Sequence, residues 1–130
     1  MNQKKMTFGK AVSTCLKKFA DFSGRASRAE FWFFHLFDWL LCLGGFLVMG
    51  LLASVVESGG LAGNLAILAD SVIIIAAFVL ALPCFAVAAR RLHDTDRSGA
   101  FLLLYLVPLG GIVLIVWFLS EGTPGPNRFG

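Results

Sequence analysis

Apolar residues along this chain gather into three long runs, roughly 31–56, 65–89 and 100–119, and nearly every lysine and arginine falls outside them. A helix rises about 1.5 Å per residue and the hydrocarbon core of a bilayer is about 30 Å thick, so each run is long enough to cross. The pattern predicts an all-α polytopic membrane protein forming a single domain over residues 1–130. It would have three transmembrane helices, 31–56, 65–89 and 100–119, and a Gly/Pro-rich tail over 120–130. A shorter pattern precedes them. Phe8, Val12, Cys15, Leu16 and Phe19 recur at helical spacing, with Lys10, Ser13, Thr14 and Lys17 on the opposite side. That spacing predicts an amphipathic helix over 6–20 lying in the headgroup layer as an N-terminal interfacial element.

Local punctuation refines the three runs. Ser27 and Glu30 stand in the S-x-x-E spacing of a capping box just before Phe31, Trp32, Phe33 and Phe34, so Ser27 is expected to start the first span, with Trp32 in the interfacial aromatic belt. Pro83 removes a backbone donor from the second run and predicts a kink near Val79. Pro108, Gly110 and Gly111 interrupt the third run near its middle. Two outcomes fit: a kinked span that leaves the tail outside, or a re-entrant pair of half-helices that returns the tail to the side it came from. The charge count below supports the first.

Composition argues against the alternative of a soluble all-helical globule, because 58% hydrophobic residues and a mean hydropathy of +0.81 are far above what a soluble domain of 130 residues could bury. Net charge is +3, and its distribution matters more than its size. Seven basic residues precede the first run, the 57–64 connection has none, the 90–99 loop has Arg90, Arg91 and Arg97, and the tail has Arg128. By the positive-inside rule the N-terminus and the 90–99 loop face the cytoplasm. The leading lysines are not followed by the short apolar core of a secretory signal. Cys15, Cys42 and Cys84 are scattered without a C-x-x-C spacing and read as small buried hydrophobes.

Candidate chemistry concentrates at the inner ends of the spans. His35 and Asp38 lie three residues apart on one helix face within the apolar run. Ionisable groups at such depth mark either a local pair or an ion pathway, and Asp38 is expected to meet Arg90 or Arg91. The 90–99 loop carries Arg90, Arg91, His93, Asp94, Asp96, Arg97 and Ser98. Part of it has structural work: Asp96 or Ser98 can cap the third helix, and Arg90 and Arg91 suit the C-terminal end of the second. Beyond that, Arg25, Arg28, Arg90, Arg91 and Arg97, with His93 and Asp94, are expected to line a guanidinium-rich pocket for a phosphate or carboxylate. No metal-ligand spacing, nucleophile elbow or cofactor motif is present, so no cofactor and no catalytic residue is assigned and the chain is not expected to be an enzyme.

Three blocks carry a resemblance: Gly24–Trp32, Arg90–Gly99 and Gly122–Gly130. Together, and in this order, they resemble the Domain of Unknown Function 805 family of bacterial inner-membrane proteins over nearly the whole chain from about residue 15. Where that family often has a tryptophan pair after Ser98-Gly99, this chain has Ala100-Phe101. The resemblance implies a small multi-pass protein of the bacterial cytoplasmic membrane with no agreed biochemical activity. The expected role is a scaffold, or a protein binding anionic lipid or a partner through its Arg-rich cytoplasmic face, with a small transporter or accessory subunit using His35 and Asp38 as the alternative. Its expected partners are anionic membrane lipids, a second copy or another membrane protein, and no nucleic acid.

Overall fold

The computed structural model of the protein describes residues 5–130, and among them every regular element is helical. Helix α1 covers Phe8–Lys17, α2 Arg28–Ser58 and α3 Gly60–Asp94; a 3₁₀ helix follows over Gly99–Leu106, and α4 covers Gly110–Leu119. The chain divides into two units. One is Leu36–Ala81, the C-terminal part of α2 with the N-terminal part of α3; the other runs up to His35 and resumes from Leu82 to Gly130.

In the Leu36–Ala81 unit, α2 and α3 are joined by a turn at Gly59 and Gly60, both with left-handed backbone (φ +70° and +65°), a conformation glycine adopts without a Cβ clash. Large apolar side chains cover its surface: Phe46, Leu51 and Phe78 are each about three-quarters exposed. No residue in the most apolar stretch of α2 is buried. A helix apolar on all sides and uncovered by protein needs a lipid solvent, which separates these helices from the buried core helices of a soluble protein. Cys42, expected to be buried, is exposed on this surface.

In the other unit, α1 is capped by Thr7, whose hydroxyl accepts the Lys10 N–H at 3.4 Å, and ends with Lys17 in its last turn, where a cation suits the helix dipole. Its inward face is Ala11 and Cys15, both fully buried, while Phe8 meets Phe33 edge to face at 6.1 Å. Helix α2 starts as its sequence predicts: the Ser27 hydroxyl accepts the Glu30 N–H at 3.1 Å.

The run 100–119, expected as a third transmembrane helix, is instead two short pieces. Val107, Pro108, Leu109 and Gly110 form a turn closed by the Gly110 N–H on the Val107 carbonyl at 2.9 Å, with Leu109 left-handed at φ 63°. This is type II geometry, with proline at the position its ring favours and leucine where glycine is usual. Gly110 lies against the Leu104 carbonyl, where any Cβ would collide with that oxygen. The two pieces therefore fold back on each other, each about 15 Å long, half the thickness of a bilayer core. The stretch after α4 returns to the end of α3: the Thr123 N–H bonds the Asp94 carbonyl at 2.7 Å, and Phe118 lies against Phe31 with ring centroids 4.4 Å apart. A proline turn and a close backbone approach outweigh the hydropathy of the run, and the tail returns to the end that carries Asp94.

Candidate functional site

The three sequence blocks converge on one carboxylate. Asp94, in the last turn of α3, receives Arg25 Nε on Oδ1 at 2.8 Å and Arg91 Nη1 on Oδ2 at 2.5 Å. Arg25 spends the rest of its fork on the tail: Nη1 donates to the carbonyls of Gly125 at 2.6 Å and Gly130 at 3.3 Å, and Nη2 to that of Thr123 at 2.6 Å. Four donors in a plane on one side chain are an arginine property; a lysine offers three from one point.

Arg91, fully buried, satisfies the end of α4. Its Nε donates to the Phe118 carbonyl at 3.2 Å and its Nη2 to the Ser120 carbonyl. The last carbonyls of a helix lack intrahelical partners, so a guanidinium there supplies both hydrogen bonds and charge of the favourable sign. Arg28, about half exposed, adds a 3.4 Å bond to the Leu119 carbonyl and lies 4.0 Å from Glu121.

A second buried pair lies beside the first. Arg90 Nη1 meets Glu30 Oε1 at 2.6 Å, with the arginine fully buried and the glutamate nearly so. Cys15 of α1 completes the cluster: its thiol donates to Glu30 Oε1 at 3.7 Å and accepts from Arg90 Nη2 at 3.9 Å. Burial and the adjacent Glu30 charge push the Cys15 thiol up to about 12. The acids that hold Arg90 and Arg91 are thus Glu30 and Asp94, not Asp38 as the spacing suggested. Glu30 looked like half of a capping box; it leaves the box to Ser27 and turns its carboxylate inward.

The tail is held at further points. The His93 ring stacks on Phe129 with centroids 4.0 Å apart, its Nδ1–H donates to the Gly24 carbonyl at 3.0 Å, and Asn127 Nδ2 donates to the His93 carbonyl at 2.8 Å. Arg128 Nε donates to Asp96 Oδ1 at 3.1 Å, and the hydrogen bonds from Arg128 hold the Asp96 carboxyl below its usual range. Asp96 therefore serves the tail, and Ser98 caps the 3₁₀ helix through its hydroxyl and the Ala100 N–H at 3.2 Å. Of the candidate intramembrane groups, His35 donates through Nδ1 to the Phe31 carbonyl one turn earlier at 3.0 Å, and Asp38 is half-buried further along α2.

Sequence reasoning grouped Arg25, Arg28, Arg90, Arg91, His93, Asp94 and Arg97; the structure brings the first six together at one end of this unit and seats Arg97 on Trp117. It does not leave their guanidiniums open: Arg25, Arg90 and Arg91 are engaged by carboxylates and backbone carbonyls of the same chain. Cys15, Glu30, Thr123 and Phe129 were missed as members, while Asn127 and Arg128 were expected to join only if the tail returned to this side. The signal for the tail residues was the third block, Gly122–Gly130, on which part of the family resemblance rests.

A family model described as a protein of unknown function (DUF805) matches residues 19–130. The chain is 41% identical over 116 residues to the inner membrane protein YhaI of Escherichia coli strain K12, covering 88% of this chain and 87% of that one. It is equally identical over 116 residues to the inner membrane protein YhaH of the same strain, covering 88% of each. No solved structure matches.

Proposed function

The chain belongs to the DUF805 family of proteins of unknown function, and from that premise we propose that it is a non-enzymatic inner-membrane protein that gathers anionic lipid around a basic helix at its cytoplasmic face. It is an all-α integral membrane protein, as its inner-membrane relatives and its uncovered apolar helices require. The observation that carries the lipid reading is the division of labour among its cations. Arg25, Arg90 and Arg91 are consumed internally, whereas Lys5, Lys10 and Lys17 are exposed on or beside α1. Ahead of Glu30, Asp21 is the one acid, and its carboxylate is occupied by Ser23. Phe8, Leu16 and Phe22, each about 40% exposed, give the same stretch apolar residues that can enter the headgroup layer. Each surface lysine adds about 1 kcal/mol of attraction to an anionic leaflet, and such a leaflet faces the cytoplasm.

The test is boundary-lipid selectivity by spin-label electron paramagnetic resonance in bilayers of phosphatidylethanolamine and phosphatidylglycerol. Wild type is expected to enrich spin-labelled phosphatidylglycerol over phosphatidylcholine, and Lys5→Gln/Lys10→Gln/Lys17→Gln to lose most of that preference while keeping its helical content. Equal selectivity in the two proteins would overturn the reading. A transport role through His35 and Asp38 has less behind it, since His35 commits Nδ1 and its ring face to Phe31 on its own helix.

A further inference from the structure

Arg97 stands apart from the other arginines. Arg25, Arg28, Arg90, Arg91 and Arg128 each lie within 4.0 Å of a carboxylate; among the described residues Arg97 has no such partner. It is nevertheless held in place. Its backbone N–H bonds the Leu92 carbonyl at 2.9 Å, its Nη1 donates to the Thr95 carbonyl at 3.2 Å, and its guanidinium carbon sits 4.7 Å from the centre of the Trp117 ring. A guanidinium lying on an indole is attracted through its face and keeps its in-plane N–H groups available at the edge. Among the described residues, only one of its five N–H groups has an acceptor.

The neighbourhood has the layout of a phospholipid. The two acids nearest in sequence do not neutralise Arg97: Asp94 is held between Arg25 and Arg91, and Asp96 is bonded by Arg128. Trp117 is in the last turn of α4, and Phe101, near the start of the 3₁₀ helix, meets it edge to face at 5.3 Å. Both aromatics therefore mark the open end of the folded-back pair, where amphipathic rings favour the headgroup region. One turn before Trp117 on the same face of α4 is Val113, and Phe101 and Val113 are each over a third exposed. A cation, an aromatic collar and an apolar strip follow one another in the order phosphate, glycerol and acyl chain.

We propose that Arg97, seated on Trp117 at the mouth of the 3₁₀ helix and α4, binds the phosphate of one membrane phospholipid whose acyl chain runs past Phe101 along Val113. This site rests on the membrane setting of the proposed function and not on the lipid preference of α1. Native mass spectrometry of protein released from phosphatidylethanolamine and phosphatidylglycerol nanodiscs tests it. Wild type and the α1 triple-glutamine variant are expected to retain one phospholipid per chain, and Arg97→Gln to retain it about tenfold less, as befits loss of a charged hydrogen bond. A second measurement needs no variant: doping the nanodiscs with diacylglycerol, which has the chains without the phosphate, is expected to give no retained diacylglycerol. The proposal is overturned if Arg97→Gln keeps the lipid as wild type does, if diacylglycerol is retained equally, or if the adduct has the mass of inorganic phosphate. Loss of the lipid only in the α1 variant would assign it to α1 and overturn the site at Arg97.

Discussion

The Nε of Arg91 donates to the carbonyl of Phe118 at 3.2 Å, so a cation near the end of α3 closes the end of α4, twenty-seven residues later. That bond, with the Ser120 carbonyl and Asp94, explains why a fully buried arginine is tolerated there: its charge is paired and its donors are spent on backbone that no helix could satisfy. Arg91→Met leaves Asp94 short of one partner and two carbonyls bare. It is expected to destabilise the protein by about 3–5 kcal/mol, the range for breaking a buried pair from one side. Reversible unfolding in mixed micelles measures this, and a loss below 1 kcal/mol would contradict the role.

Arg25 holds the tail by fork geometry as well as by charge. Arg25→Lys keeps the charge beside Asp94 but cannot reach Thr123, Gly125 and Gly130 together. Hydrogen exchange of the amides over 122–130 is expected to quicken about tenfold or more, while α2 and α3 stay protected. Unchanged protection of the tail would show that Phe129 and Asn127 suffice.

The two adjacent glycines of the third run have different duties. A Cβ at Gly110 would overlap the Leu104 carbonyl, and one at Gly111 meets nothing within 4 Å. Gly110→Ala is expected to cost about 2 kcal/mol or more through backbone displacement, whereas Gly111→Ala should be neutral or slightly stabilising. Equal effects of the two in the same unfolding assay would argue against the folded-back arrangement.

Cys15 supplies a pH signature. Its thiol is raised from the ordinary 9.0 to about 12, so the folded protein holds that proton more tightly than the unfolded chain does. The associated stability is complete below pH 9 and is lost as pH climbs from there towards 12. In a Cys42→Ala/Cys84→Ala background, Cys15 is expected to resist maleimide at pH 8 until the protein unfolds, and Cys15→Ser should flatten the alkaline decline. Ready labelling of folded protein would place α1 elsewhere.

The folded-back third run also predicts topology. With two full crossings, tags ahead of α1 and after Gly130 are expected on the same side of the membrane in intact spheroplasts. Opposite labelling would restore a third crossing.

Periodicity and capping signals were enough to identify α1, the start of α2 at Ser27 and the two long apolar helices. Each depends on neighbours along the chain: a helical repeat, a capping residue, a run long enough for lipid. The fate of 100–119 was not decided at that level. Hydropathy favours one span there, while Pro108 and Gly110 permit a turn; what settles it is the tertiary gain from Phe118 on Phe31 and from Arg91 on the carbonyls of α4. Glu30 is the same kind of case, since its S-x-x-E position reads as a cap and its buried neighbour Arg90 is sixty residues away. Local order follows from interactions between near neighbours that a sequence displays directly. The choice among buried partners depends on which charges and bare carbonyls the completed fold brings within hydrogen-bond distance, and only the tertiary structure decides that.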